Sequence, residues 1–458
     1  MVARVSAVLR LALVVVALEG AVGCSSPAPA RPNIVVIVVD TLRADRLGTY
    51  GSSRNLTPFL DGLAARGAVF EHAFAPSAWT NPSVASLLTS RYPSQHHVSN
   101  FDSKLGDDEV TFAERLTASG WEAAGFSANF QLAAANGYAQ GFATWRTFPE
   151  TFKLRGPGLR RACVEWLDGG ARRVGAPLLL YLQFMEPHAP YEPPPPFRER
   201  FALPERSGVS AAAANHKLLG LDWGALSADE VALLASLYDA EVAAADAELR
   251  ALFDDLDARG VLRSAIVVVT ADHGEEFREH GFLAHGVTLY QTVLHVPLLF
   301  IGPGIPAGRR VRENVSLIDL APTLLDLAGL PAEPRFEGRS LRPAFYGFGI
   351  ERDVLAELPP WQEGTDWRQH AAALVRGPFK LLARPPNLRR AFPPVIYDLA
   401  RDPREEHPDP LDLAIESEIL QHDLRAEVAA LAARAGTAER RGLSEEERAR
   451  LRALGYIE

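Results

Sequence analysis

The run Asn33-Ile34-Val35-Val36-Ile37-Val38-Val39 constrains this chain most: six consecutive β-branched apolar residues that end on one acid, Asp40. Continuous runs of this kind suit strands covered on both faces, as in a parallel sheet with helices on either side. Three more runs follow the same plan. Residues 178–185 end at Glu186-Pro187-His188, residues 265–270 end next to Asp272-His273, and residues 296–301 are closed by Gly302-Pro303-Gly304. Helical patterns fall between them, over 58–66, 82–89, 111–119, 227–259 and 319–328. The alternation predicts an α/β domain with a mainly parallel central sheet over 33–334. Beyond it, short apolar runs at 354–357, 372–375 and 395–399 predict a small antiparallel-sheet subdomain over 335–410, an α+β addition. Residues 411–458 read as a helical, charged tail. The stretch 193–214 opens with four consecutive prolines and is expected to cross the surface near the site.

The first 24 residues read as a secretory signal of the lipoprotein type. Arg4 and Arg10 form a positive end, Leu11 to Leu18 an apolar stretch too short to span a bilayer, and Gly23-Cys24 the cleavage point. Residues 25–32, rich in Pro and Ala, read as a linker. The expectation is an exported protein of a bacterial cell envelope, touching the membrane only through lipid on Cys24; cleavage and release is the alternative. If Cys24 carries lipid, Cys163 has no disulfide partner. A net charge of −10 opposes the phosphates of nucleic acid, so no nucleic-acid partner is expected. Lysine occurs only at Lys104, Lys153, Lys217 and Lys380, a bias that reads as genome composition.

In open α/β sheets, ligands bind beyond the carboxyl ends of the strands. Three of the predicted strands deliver polar groups there: Asp40, then Glu186 and His188, then Asp272 and His273. Pro82 suits a first helical turn, which puts Thr80 at or just before a helix N-terminus, a place that favours anions. Each piece alone also has a plain structural reading. An Asp after a strand is commonly a turn residue, an Asp-His-Gly is commonly structural, and His188 can serve as a buried histidine that orients its loop. His96, His97, His280 and His295 are expected to be structural, packing or surface groups, and Tyr238 to lock the fold. Trp79 either lines the pocket or belongs to the core, and Asn129 is placed to reach the site.

Taken together and in order, the motifs resemble the alkaline phosphatase superfamily and, within it, the sulfatase family. The matching stretches are Val38-Val39-Asp40-Thr41-Leu42-Arg43-Ala44-Asp45-Arg46-Leu47-Gly48, Ala78-Trp79-Thr80-Asn81-Pro82-Ser83-Val84-Ala85-Ser86-Leu87-Leu88-Thr89-Ser90-Arg91, and His188-Ala189-Pro190-Tyr191. Tyr238-Asp239-Ala240-Glu241, Thr270-Ala271-Asp272-His273-Gly274-Glu275, His285-Gly286 and Ile396-Tyr397-Asp398-Leu399-Ala400-Arg401-Asp402-Pro403 continue the series. The resemblance implies the three-layer sandwich of that superfamily. It also implies a divalent cation (Ca, Mn or Zn) on Asp40, Asp272, His273 and Thr80, with Thr80 as nucleophile. His188 and His285 would hold the ester oxygens, protonate the leaving group or bind a second ion.

Departures from the sulfatase pattern are as informative. The signature C/S-x-P-S-R opens on a Cys or Ser that is oxidised to formylglycine; here Thr80 stands there, and a threonine cannot take that modification. Val84 replaces the signature Arg, Thr41 a second Asp, Gly286 a Lys, and Gly125-Phe126-Ser127-Ala128-Asn129 a Gly-Lys-Trp-His stretch. Thr nucleophiles belong to relatives that cleave or transfer phosphoryl groups. The expected activity is therefore metal-dependent hydrolysis of phosphate mono- or diesters, on a small-molecule, glycan or lipid ester. Three alternatives stay open: sulfuric ester hydrolysis, phosphoethanolamine-type transfer, and an inactive metal-binding lipoprotein. The transferases that look similar carry several transmembrane helices, whereas no run here beyond the leader reaches membrane-spanning length.

Overall fold

The computed structural model describes residues 31–148, 154–170, 173, 175–359, 371–383, 394–408, 413–435, 439–440, 442–445 and 448–449. The expected leader at 1–24 and most of the linker lie outside them, as do Leu451 to Tyr456. Among the described residues no helix is long and apolar enough to cross a membrane.

A nine-stranded mixed sheet is the centre of the fold. Asn33–Val39 lies in the middle, parallel to Leu178–Phe184 on one side and to Ala265–Thr270 on the other. Outward from Leu178–Phe184, Glu122–Ser127 and Thr144–Thr147 extend the parallel part. All seven residues of Leu178–Phe184 and all six of Ala265–Thr270 are buried, as their unbroken apolar character predicts. The expected fourth strand, 296–301, requires correction. It is split at Pro297 into His295–Val296 and Leu298–Ile301, because proline has no N–H to give the ladder. Leu298–Ile301 also runs antiparallel to both of its neighbours, Ala68–Phe74 and Ala265–Thr270. Ala68–Phe74 and its parallel partner Arg309–Ser316 complete the sheet.

The predicted helices form with shifts of a residue or two: Pro58–Ala64, Thr80–Thr89, Phe112–Ala118, Ala228–Ala258 and Leu320–Leu327. Thr111 and Ser227 cap two of them through reciprocal bonds with Glu114 and Glu230, the Ser/Thr-x-x-Glu pattern. The proline-rich excursion is more ordered than expected, since it holds the helices Pro195–Phe201 and Ala211–Leu219.

A four-stranded antiparallel sheet follows, in the order Val354–Leu358, Ala371–Arg376, Phe379–Ala383, Val395–Asp398. One face, with Val354, Ala356, Ala373 and Val375, joins the main core. The other, with Leu355, Leu374, Leu381 and Ile396, is covered by Leu420, Leu424 and Leu431 of the helix Ala414–Ala433. The described residues from Asn33 onward accordingly form one compact unit.

Candidate active site

Because Asn33–Val39 pairs in register with its two parallel neighbours, the residues just past all three strands meet at one edge. Asp40, Asp272 and His273 are completely buried there, and one ligand atom from each lies within 4.8 Å of the others. Thr80, the first residue of its helix, places Oγ1 3.3 Å from His273 Nε2. The helix is pinned to the Asp272 segment by Ser83, whose hydroxyl donates to the Asp272 carbonyl at 2.6 Å. His273 Nδ1 faces the Gly274 carbonyl at 2.9 Å, which fixes its proton there and leaves Nε2 as the acceptor turned to Thr80.

Side-chain amides orient the two aspartates. Asn129 receives the Gln131 N–H on Oδ1, so its NH₂ group donates to Asp40 Oδ2 at 2.9 Å and reaches Thr80 Oγ1 at 3.4 Å. Gln183 receives the Tyr181 hydroxyl at 2.6 Å, so its NH₂ group donates to Asp272 Oδ2 at 3.2 Å. The Thr41 N–H and the His273 N–H donate to the other oxygen of Asp272. Thr41 does so with φ of 59°, a left-handed backbone that a β-branched residue adopts only at a cost.

These residues fit a divalent cation. Asp40 Oδ1 is buried and has no hydrogen-bond partner among the described residues. Burial first, and then the charge of Asp272, push the Asp40 carboxyl well above the usual carboxylate range. Two carboxylates, an imidazole and a hydroxyl make a mixed oxygen and nitrogen donor set.

His188 and His285 form a second bank. His285 Nδ1 meets Glu275 Oε1 at 2.8 Å, while Tyr191 donates its hydroxyl to Glu275 Oε2 at 2.8 Å. His188 Nδ1 meets the Ala189 carbonyl at 2.6 Å. Ring centroids lie 5.0 Å apart for His188 and His285, and 4.4 Å apart for His285 and His273. Burial pushes His188 down to about 3 and His285 down to about 4, so both rings rest neutral. All three imidazoles thus hold a backbone carbonyl or carboxylate on one nitrogen, the arrangement that fixes tautomer and ring orientation.

The structure brings Asp40, Thr80, Asp272, His273, His188 and His285 together, with Asn129 beside them. Glu186, expected at the same edge, does not join. Its Oε1 accepts the Gly156 N–H at 3.0 Å, with Arg155 3.6 Å away. Trp79 packs edge-on against Phe101 at 5.2 Å, with Phe130 and Leu443 alongside, as a small apolar cluster next to Thr80. Sequence reasoning assigns no role to Gln183, Glu275 or Tyr191. Glu275 and Tyr191 sit inside quoted motifs, whereas Gln183 is signalled only by being an amide in an apolar strand.

The fold is one that ester hydrolases use. It is shared with a phosphonate monoester hydrolase of Agrobacterium radiobacter (TM-score 0.73, 22% identity, 88% of this chain and 96% of that one). A 2-O GAG sulfatase shares it too (TM-score 0.71, 20% identity, 90% and 95%). In sequence, the chain is 27% identical over 450 residues to arylsulfatase K of Homo sapiens, spanning 88% of this chain and 83% of that protein. It is 23% identical to a Delta 4,5-hexuronate-2-O-sulfatase of Bacteroides thetaiotaomicron, spanning 84% and 85%. The sulfatase profile matches residues 32–330, and the chain belongs to the sulfatase family, whose members are ester hydrolases that use a divalent metal.

Proposed function

We propose that this protein hydrolyses phosphate mono- or diesters, with Thr80 as the nucleophile. The carrying observation is the Thr80 hydroxyl itself, set 3.3 Å from His273 Nε2 and 3.4 Å from the Asn129 amide, at the position where sulfatases carry the formylglycine precursor. Asp40, Asp272, His273 and Thr80 would hold the cation. When bound, it supplies positive charge that lowers the pKa of the hydroxyl and draws in the ester oxygens. The imidazole in this set favours Mn²⁺ or Zn²⁺ over Ca²⁺, which prefers oxygen donors alone.

Thr80 Oγ forms a bond to phosphorus as the bond from phosphorus to the alcohol oxygen breaks. The proton that Thr80 gives up passes through solvent to Nε2 of the neutral His285, which delivers it to the departing oxygen, with Glu275 behind Nδ1 to stabilise the transient imidazolium. Water then attacks the same phosphorus as the bond from phosphorus to Thr80 Oγ breaks, and the proton that the water loses passes by way of His285 back to Thr80 Oγ, which leaves both groups as they began. A threonine has one hydroxyl, so a covalent sulfate ester on it cannot collapse by the gem-diol route that formylglycine allows.

Sulfuric ester hydrolysis is the second reading, favoured by the relatives named above. Phosphoethanolamine-type transfer and an inactive binding lipoprotein rank behind it. A small-molecule, glycan or lipid ester is the substrate class, and export with a lipid on Cys24 is part of the proposal. The test is a panel of nitrophenyl sulfate, nitrophenyl phosphate and bis-nitrophenyl phosphate with Mn²⁺, Zn²⁺ or Ca²⁺, on wild type and Thr80→Ala. Phosphoester turnover that falls by roughly 10³-fold or more in Thr80→Ala is expected. Sulfate ester turnover that survives Thr80→Ala refutes the nucleophile, and silence on every ester refutes the enzyme.

A further inference from the structure

The short hairpin Glu276–Phe277 and Leu283–Ala284 leaves the site at Glu275 and returns to it at His285. Its entry and exit residues are therefore the two halves of the hydrogen bond that orients His285. His280 sits at the tip. Its Nδ1 lies 2.9 Å from Glu276 Oε1 and its Nε2 lies 2.9 Å from the Arg404 carbonyl. The carbonyl is an acceptor only, and so is the carboxylate of Glu276, a setting that suits a ring with protons on both nitrogens. The ring lies flat on Tyr290, with centroids 3.8 Å apart and planes 10° from parallel, a contact that suits a cation.

A second basic group, this one fully buried, stands near enough to feel the charge of Glu276. Lys380, fully buried on Phe379–Ala383, lies 2.7 Å from Glu405 Oε1, also fully buried. Glu405 takes the Gln291 N–H on its other oxygen, and Glu276 takes the Thr292 hydroxyl at 2.6 Å. Two anions and two cations from the hairpin, the 290–292 turn and the C-terminal sheet region thus close on one another. Charges this deep are tolerated when they balance, and removing one strands the rest.

We infer that His280, held as an imidazolium between Glu276 and the Arg404 carbonyl, is a positioning residue that sets the His285–Glu275 pair and ties the order of the hairpin to pH. Its place in turnover rests on the proposed role of His285; its effect on the hairpin does not. The groups facing it are Glu276, Glu405, the Arg404 carbonyl and Tyr290. Burial works against the charge, but the bond to Glu276 and the nearby acids outweigh it and raise His280 above the ordinary histidine range. The contact is complete below that raised value. As pH climbs through it, one nitrogen becomes a lone pair facing an oxygen, and the tip is released.

Three measurements on the full chain test this. Imidazole ¹⁵N shifts are expected to show both His280 nitrogens protonated at pH 6.5. Amide exchange over 276–285, corrected for its intrinsic pH dependence, is expected to rise between pH 6.5 and 9. In His280→Gln it should be roughly 10-fold faster already at pH 6.5 and flat with pH, with 34–39 unchanged. Phosphoester kcat should fall roughly 10-fold in His280→Gln while KM stays within about twofold. A neutral ring at pH 6.5, or a hairpin equally protected in His280→Gln, overturns the inference. A loosened hairpin with unchanged kcat overturns the positioning role. If no ester is turned over at all, the functional proposal falls, and the exchange data still decide the hairpin.

Discussion

His96 shows how a histidine is fixed in the opposite sense to His280. Its Nδ1 accepts the Val98 N–H at 3.1 Å, so the proton sits on Nε2, which meets the Ser86 hydroxyl at 2.9 Å. Protonation would set one N–H against another in a fully enclosed position, and burial, followed by the charges of His97 and Arg91, holds the ring well below the ordinary histidine range. Its folded value lies below the unfolded one, so its contribution is whole above the unfolded value near 6.5 and is lost as pH falls below it. Unfolding free energy should therefore drop from pH 6.5 towards pH 5. In His96→Gln that slope should be shallower by up to about 1.4 kcal/mol per pH unit, read from urea titrations at each pH. Legibility at this scale follows chain direction. Asp40, Asp272 and His273 could be read because strand ends announce them, and Thr80 because a proline marks its helix. Gln183 could not, because which buried amide faces the site depends on strand neighbours 89 residues away, such as Asp272.

Among the elements, the turn after Ala265–Thr270 is the most tightly built. A Cβ on Gly274 would lie 2.0 Å from the Thr292 carbonyl oxygen, a backbone atom with no room to yield. Glycine is needed here for closeness, because the Gly274 and Glu275 N–H groups bond to Val293 and Thr292 across the gap. Gly274→Ala should displace His273 and weaken Mn²⁺ or Zn²⁺ binding roughly 10-fold or more by calorimetry, while cooperative thermal unfolding persists. Long unbroken apolar runs made strands legible, and three strands were missed where charge falls inside the run. Ala68–Phe74 contains Glu71 and His72, and Arg309–Ser316 carries three arginines. Phe379–Ala383 holds Lys380, whose charge is matched by Glu405 from 25 residues downstream, a pairing no local pattern reveals.

At the scale of the molecule, the small C-terminal sheet belongs to the body of the protein. Glu357, buried on its first strand, gives its N–H to the Pro76 carbonyl and takes the Ser94 N–H on its carboxylate, at the two ends of the segment that carries Thr80. Leu374→Ala, on the face covered by the last long helix, should lower stability by about 2–4 kcal/mol and shift one single transition. Far-ultraviolet dichroism and tryptophan fluorescence should follow that transition together, whereas two separated transitions would show that the sheet folds alone. The main sheet has a further consequence. Asp40, Gln183, Asp272 and His273 stand at the tips of three adjacent strands whose separation is set by backbone hydrogen bonding, near 4.8 Å. The spacing of these donors is therefore set when the sheet forms, before any ion arrives, and an ion of the wrong radius meets a gauge that backbone pairing has already cut.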